Sequence, residues 1–163
     1  MTTTRRANVG RAQGPVESLL RALERFRAGV SLLDLGDAKP GGALDMTSAI
    51  RAGVASAAWS RLRAIGFTPP ELASVVGVSE KTISRKKGGD AVLTVAEGDR
   101  TVRLAQLALE AAHAFGELDK ALRWLRKPNR LLGGEKPLDL IATEPGTVLV
   151  RKALGAVEYG GVA

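Results

Sequence analysis

Apolar positions recur along this chain at spacings of three and four residues, the spacing that puts them on one face of a helix. Leu19, Leu20, Leu23, Phe26 and Val30 follow this rhythm, with Glu17, Arg21, Glu24 and Arg25 between them, so Val16–Leu33 reads as an amphipathic helix. Residues 1–15 carry no periodicity and read as a disordered basic arm. Gly36 to Gly42 has the composition of a linker. Asp45 is the expected N-cap of a short helix ending near Gly53. A second is expected from Ala55 to Ile65, with Trp59, Leu62 and Ile65 on one face and Gly66 as the stop. Thr68-Pro69-Pro70-Glu71 holds a capping threonine, proline at the first helical position and a glutamate three residues after the cap. The longest pattern runs from Asp99 to Phe115, through Leu104, Leu107, Ala108 and Ala111, until Gly116 breaks it. Leu118, Leu122 and Leu125 mark a further helix that ends at Pro128-Asn129. Gly133-Gly134 is a turn, and Pro137 opens a short helix through Ile141. Pro145-Gly146 reads as the last break before a final helix from about Thr147 to Glu158. Strand signals are weak throughout and no internal repeat is present, so the expected fold is all-α.

Composition agrees with that reading. Hydrophobic residues make up 45% of the 163 positions but aromatics only 4%, so the core must be aliphatic and alanine-rich, which favours helices. The formal net charge of +7 suits a polyanionic partner. Without cysteine, disulfides and thiolate chemistry are excluded. No apolar run reaches the roughly 20 residues of a membrane helix, and the first residues lack the apolar stretch of a signal peptide. The expected location is therefore cytoplasmic, without a membrane partner. His113 is the only histidine, and no serine or acidic residue stands in a recognisable relation to it. Glu71, Asp99, Glu110, Glu117 and Asp139 have helix-cap, first-turn or surface explanations. No phosphate-binding glycine loop occurs. These features argue against an enzyme and against a cofactor.

The chemistry concentrates in Glu71-Leu72-Ala73-Ser74-Val75-Val76-Gly77 and Val78-Ser79-Glu80-Lys81-Thr82-Ile83-Ser84-Arg85-Lys86, which run on without a break. Ala73 is small where two helices cross. Gly77 sits where a left-handed backbone is easiest for glycine. Val76, Val78 and Ile83 lock the pair, and Ser79 caps the second helix, which Gly88 and Gly89 end. The pattern is that of a helix-turn-helix with its charge on the second helix. The first turn of such a helix faces base edges, so Lys81, Thr82 and Arg85 are the expected base contacts, with Ser84, Lys86 and Lys87 on phosphates. Glu80 is suited to accept from cytosine or to favour the helix N-terminus. The bland alternative is a structural corner with a solvated basic face.

From about Asp45 onward the chain resembles the Xre/MbcA/ParS antitoxin family, an Xre-like helix-turn-helix followed by a toxin-binding domain. The residues that carry the resemblance are Leu72-Ala73, Val76-Gly77-Val78-Ser79 and Thr82-Ile83, then Arg103-Leu104-Ala105, Phe115-Gly116, Ala121 and Trp124-Leu125. Pro128-Asn129, Leu132-Gly133-Gly134, Pro137-Leu138-Asp139-Leu140, Thr143, Gly146, Leu154 and Val157-Glu158-Tyr159-Gly160 follow in the family order. The resemblance implies an antitoxin whose partner is a RES-domain toxin that consumes NAD. It also implies repression of its own operon by binding operator DNA, and a homodimer. The domain division this suggests is an arm, helix and linker in 1–44, the helix-turn-helix region in 45–98, and the long helix with the toxin-binding domain in 99–163. Within the last, Trp124, Leu125, Leu138, Leu140, Ile141, Val148 and Leu154 are expected mostly in the core. The polar candidates for toxin contact are Arg123, Arg126, Lys127, Asn129, Arg130, Arg151, Lys152, Glu158 and Tyr159. The helix Val16–Leu33 lies outside the resemblance and its role is open. The rival reading is a stand-alone helix-turn-helix regulator with a C-terminal dimerisation domain.

Overall fold

In the computed structural model of the chain the described residues are 43–86, 91–158 and Gly160. They form α1 (Ala43–Ala52), α2 (Ala57–Ala64), α3 (Pro69–Val76), α4 (Glu80–Arg85), α5 (Val95–Phe115), α6 (Leu118–Arg126), a 3-10 turn (Arg130–Leu132), α7 (Pro137–Leu140) and α8 (Glu144–Glu158). No strand occurs among the described residues, and the fold is all-α, a helix-turn-helix followed by a small helical domain. The expected N-terminal arm, amphipathic helix and linker lie outside the described residues.

Three boundaries differ from the sequence reading. Asp45 lies inside α1 rather than at its cap, because the helix already includes Ala43. α2 begins at Ala57, since Ala55 is taken by an antiparallel bridge to Val92. In that bridge the Ser56 amide donates to the Ala91 carbonyl and the Leu93 amide to the Val54 carbonyl, both at 2.8 Å. α5 begins four residues before Asp99. Thr94 accepts from the Glu97 amide while the Glu97 carboxylate accepts from the Thr94 amide, a second capping box that starts the helix at Val95.

α8 supplies a fourth correction. Pro145-Gly146 is no break but the first turn of the helix, where proline loses no needed hydrogen bond. Thr143 takes the capping role, its Oγ1 accepting from the Gly146 amide at 3.2 Å. Glycine is required here by crowding, because a Cβ at 146 would collide with the Leu140 backbone carbonyl at the end of α7. Val148, expected in the core, faces outward, as does Leu149, while Val150, Ala153 and Leu154 are buried.

α5 is the centre of the molecule. It packs against α1, α2, α3, α6 and α8. Its buried residues, from Gly98 to Ala112, occupy more than one face, as a helix covered by several neighbours requires. A division at 98/99 therefore falls inside a helix that both halves share. Trp59 is buried against it, with Nε1 donating to Thr101 Oγ1 at 2.9 Å, and Thr101 donating on to the Glu97 carbonyl at 2.7 Å. One aliphatic core, which includes Leu62, Leu72, Ile83, Leu104, Leu107, Leu125 and Ile141, runs through the described residues.

A long-range ion pair joins the two halves. Arg126, at the end of α6, meets Glu71, in the first turn of α3, with Nε to Oε1 at 2.6 Å. Burial pushes the Glu71 carboxyl up, but the Arg126 hydrogen bond and the Thr68 amide and hydroxyl outweigh it, leaving it below the usual carboxylate range. The unfolded chain therefore takes up this proton first. The stability Glu71 contributes is present above the ordinary carboxylate value near ~4.3 and fades as pH falls through the depressed folded value. Melting the wild type and Glu71→Gln from pH 7 to 3 should show a gap at neutral pH that closes in acid; a gap independent of pH would sink this account. Gly146→Ala should cost about 2–3 kcal/mol through overpacking at the α7–α8 corner, measured by chemical denaturation. A variant as stable as the parent would show that the corner relaxes at no cost.

Candidate functional site

α3 and α4 form the corner that the sequence indicates. Thr68 and Glu71 make the expected capping box at the start of α3. At its end Gly77 takes φ +78° and ψ +39°, a left-handed conformation that costs an L-residue about 1–2 kcal/mol. The Gly77 and Val78 amides both return to the Ala73 carbonyl, at 2.9 and 3.0 Å, which closes the turn. Space also favours glycine, since a Cβ there would stand 2.5 Å from Arg100 Nη1. That guanidinium donates to the Val76 carbonyl at 2.8 Å and so satisfies one of the free carbonyls at the end of α3.

Ser79 then caps α4, its Oγ accepting from the Thr82 amide at 3.1 Å and bonding the Thr82 hydroxyl at 2.9 Å. Ile83 is buried, Val78 partly so, and Ala73 and Val76 are buried beneath them. The apolar side of this one-and-a-half-turn helix is thus spent on α3. Lys81, Ser84 and Arg85 are left exposed, with Glu80, and Thr82 is half-exposed. These residues share a solvent-facing side of α4 whose outward groups, apart from Glu80, are cationic or hydroxyl, the chemistry that meets phosphate oxygens and base edges.

Lys86 has a different job. Its Nζ sits 3.0 Å from Glu97 Oε2 and 5.5 Å from the centre of the Trp59 ring, so it ties the end of α4 to the start of α5. Burial raises the Glu97 carboxyl, but the Thr94 amide and the Lys86 ammonium more than reverse this and hold it below the usual range. Unlike Lys81 and Arg85, this ammonium is engaged within the chain on two sides. Lys87 lies outside the described residues. Sequence reasoning passed over Glu97 and Thr94, although Thr-x-x-Glu ahead of an apolar run is itself a helix-start signal.

The C-terminal candidates separate in the same way. Asn129 is buried. Its Oδ1 accepts from the Leu131 amide at 2.9 Å, and its backbone amide and carbonyl bond Glu135 and Gly134, so it builds the turn after α6. Arg126 is engaged with Glu71 and with the Gly66 carbonyl. Both are thus engaged within the chain. Arg123, Lys127 and Arg130 remain exposed around the end of α6 and the 3-10 turn. Arg151 is exposed but held by Glu110 at 3.1 Å, and Lys152 beside it is exposed. Leu131, Val148 and Leu149 add exposed apolar area that sequence reasoning did not mark. The Glu158 side chain and Tyr159 lie outside the described residues. His113 is exposed at the end of α5. Among the described residues no helix is long and apolar enough to cross a membrane.

Two family models match the chain, one for each part. A family model described as "Antitoxin Xre-like helix-turn-helix domain" matches residues 45–106, and one described as "Antitoxin Xre/MbcA/ParS C-terminal toxin-binding domain" matches 110–160. Antitoxin Xre of Pseudomonas putida is 34% identical over 94 residues, 58% of each chain. The chain spans less than two thirds of the length of the Antitoxin Xre relatives it matches. Mycobacterial cidal antitoxin MbcA of Mycobacterium bovis is 31% identical over 88 residues, 54% of this chain and 77% of that one. A chain in the crystal structure of the M. tuberculosis MbcT-MbcA toxin-antitoxin complex aligns with a TM-score of 0.49 at 22% identity, covering 76% of this chain and 100% of its own. On the two matching family models and the identity to MbcA, this chain belongs to the Xre/MbcA/ParS antitoxin family.

Proposed function

We propose that the protein is the antitoxin of a toxin–antitoxin pair. In this reading it neutralises a RES-domain, NAD-consuming toxin and, as a homodimer in the cytoplasm, represses its own operon by binding operator DNA. Family membership supports the antitoxin role, and the resemblance described above supports the nature of the toxin. The observation that carries the DNA-binding part is the division of α4, whose apolar side is buried on α3 while Lys81, Ser84 and Arg85 stay free. Lys81, Thr82 and Arg85 read base edges and Ser84 meets phosphate. A recognition helix in the major groove needs that arrangement, and a dimer supplies two of them to a palindromic site.

The toxin contacts belong to the C-terminal half: Arg123, Lys127, Arg130, Arg151 and Lys152, with Glu158 and Tyr159 at the end of the chain. A tyrosine near a terminus suits an anchor, offering a large area with one polar tip. The protein itself performs no catalysis in this reading.

Two outcomes check the proposal. Lys81→Ala combined with Arg85→Ala should weaken binding to the DNA upstream of the gene by about tenfold or more and leave rescue from the neighbouring gene's product intact. Gel-shift titration and growth on co-expression measure the two, and a folded double variant that loses both would contradict the division of labour. Removal of the residues after Leu154 should do the reverse, abolishing rescue while DNA binding persists. A truncated chain that still protects cells would remove the C-terminal end from the toxin contact.

A further inference from the structure

The C-terminal half reaches back into the helix-turn-helix through Arg126. Its Nη2 donates to the Gly66 carbonyl at 2.8 Å and to Glu71 Oε2 at 3.0 Å, while Nε holds Glu71 Oε1 at 2.6 Å. Gly66 precedes the N-cap of α3, and Glu71 completes the capping box of the same helix. One planar guanidinium therefore grips both the chain entering α3 and the first turn of α3 itself, a geometry that a single ammonium cannot reproduce. α7 lies against α3 as well, so two pieces of the C-terminal half hold this helix.

α3 is the seat of α4. Leu72, Ala73, Val75 and Val76 are buried within it, and Ile83 is the buried anchor from α4. α4 is short; Ile83 seats it on α3 and Lys86 ties its end to α5, so a tilt of α3 is passed on to α4. We propose that Arg126 is a positioning residue for DNA reading: it touches no DNA, yet it fixes the angle at which α4 meets the groove, and the C-terminal half is thereby a working part of the DNA-binding unit. The inference rests on the DNA-binding reading above and adds that the corner does not set its own geometry.

The test uses the full chain and two duplexes of equal length at one salt concentration, the DNA upstream of the gene and an unrelated sequence. Arg126→Met removes the grip. Glu71→Gln weakens it and keeps the cap, since glutamine also serves at that position of a capping box. Each should lower affinity for the upstream duplex by about tenfold, the effect of losing charge-assisted hydrogen bonds that position a neighbour. The double variant should lose no more than Arg126→Met alone, because that substitution already removes the Glu71 interaction. Binding to the unrelated duplex should hardly change, since phosphate contacts carry it and these tolerate a tilt of α4. Arg126→Lys should recover part of the loss. Equal losses on the two duplexes, or undiminished discrimination in Glu71→Gln, would overturn the proposal even if Arg126→Met failed to fold. If the wild type itself prefers neither duplex, the DNA-binding reading fails and takes the inference with it; if the wild type discriminates and the variants keep that discrimination in full, the inference alone falls.

Discussion

α5 must be covered on several sides, and the rest of the molecule is arranged to do this. Ten of its 21 residues are buried, among them small ones that let neighbours approach: Gly98, Ala105, Ala108, Ala111 and Ala112. At Gly98 an added methyl would already stand 3.0 Å from Val54. Small side chains bring the neighbouring backbones close, and leucines between them fill the remaining space. The aliphatic, alanine-rich composition is thus the chemical form of a helix packed by elements that precede it and elements that follow it.

Charge is organised around the same helix. Besides two local pairs, Arg103 with Asp99 and Lys120 with Glu117, ion pairs sit at joints between elements: Lys86 with Glu97 between α4 and α5, Arg103 with Glu144 between α5 and α8, Arg151 with Glu110 between α8 and α5, and Arg126 with Glu71 between α6 and α3. Exposed pairs of this kind contribute little to stability. The half-buried ones, at Glu97 and Glu71, also complete capping boxes, so each fixes a helix start as well as a contact. Of these four cations Lys86, Arg103 and Arg126 are half-buried, and Arg151 is exposed. Other exposed cations among the described residues lie on α1, α4 and α6, around the 3-10 turn, ahead of α7 and on α8, where a basic protein can meet a polyanion or an acidic surface.

Much of this was legible in the chain. Gly77, Ala73, Val76, Ile83 and Ser79 announce the helix-turn-helix because a tight corner has local requirements: a left-handed residue, a small crossing residue and a cap. Thr68 and Glu71 announce the start of α3 for the same reason. The missed helix starts at Thr94 and Thr143 carried signals too, but Pro145-Gly146 imitates a break. Only the approach of the Leu140 carbonyl explains why glycine is needed inside a helix. Lys86, Arg126 and Asn129 resembled surface contacts because their partners lie 11 and 55 residues away, for the first two, or in a turn that must fold first.

The sequence by itself determined the all-α class, the helix-turn-helix corner and the order of its two parts. Those properties depend on period, caps and turns, which act over a few residues. The tertiary structure decided which cations are free, which carbonyl forces a glycine, and that the two parts share α5 and meet at Arg126. These depend on distances between residues far apart in the chain, and such distances exist only once the core has closed.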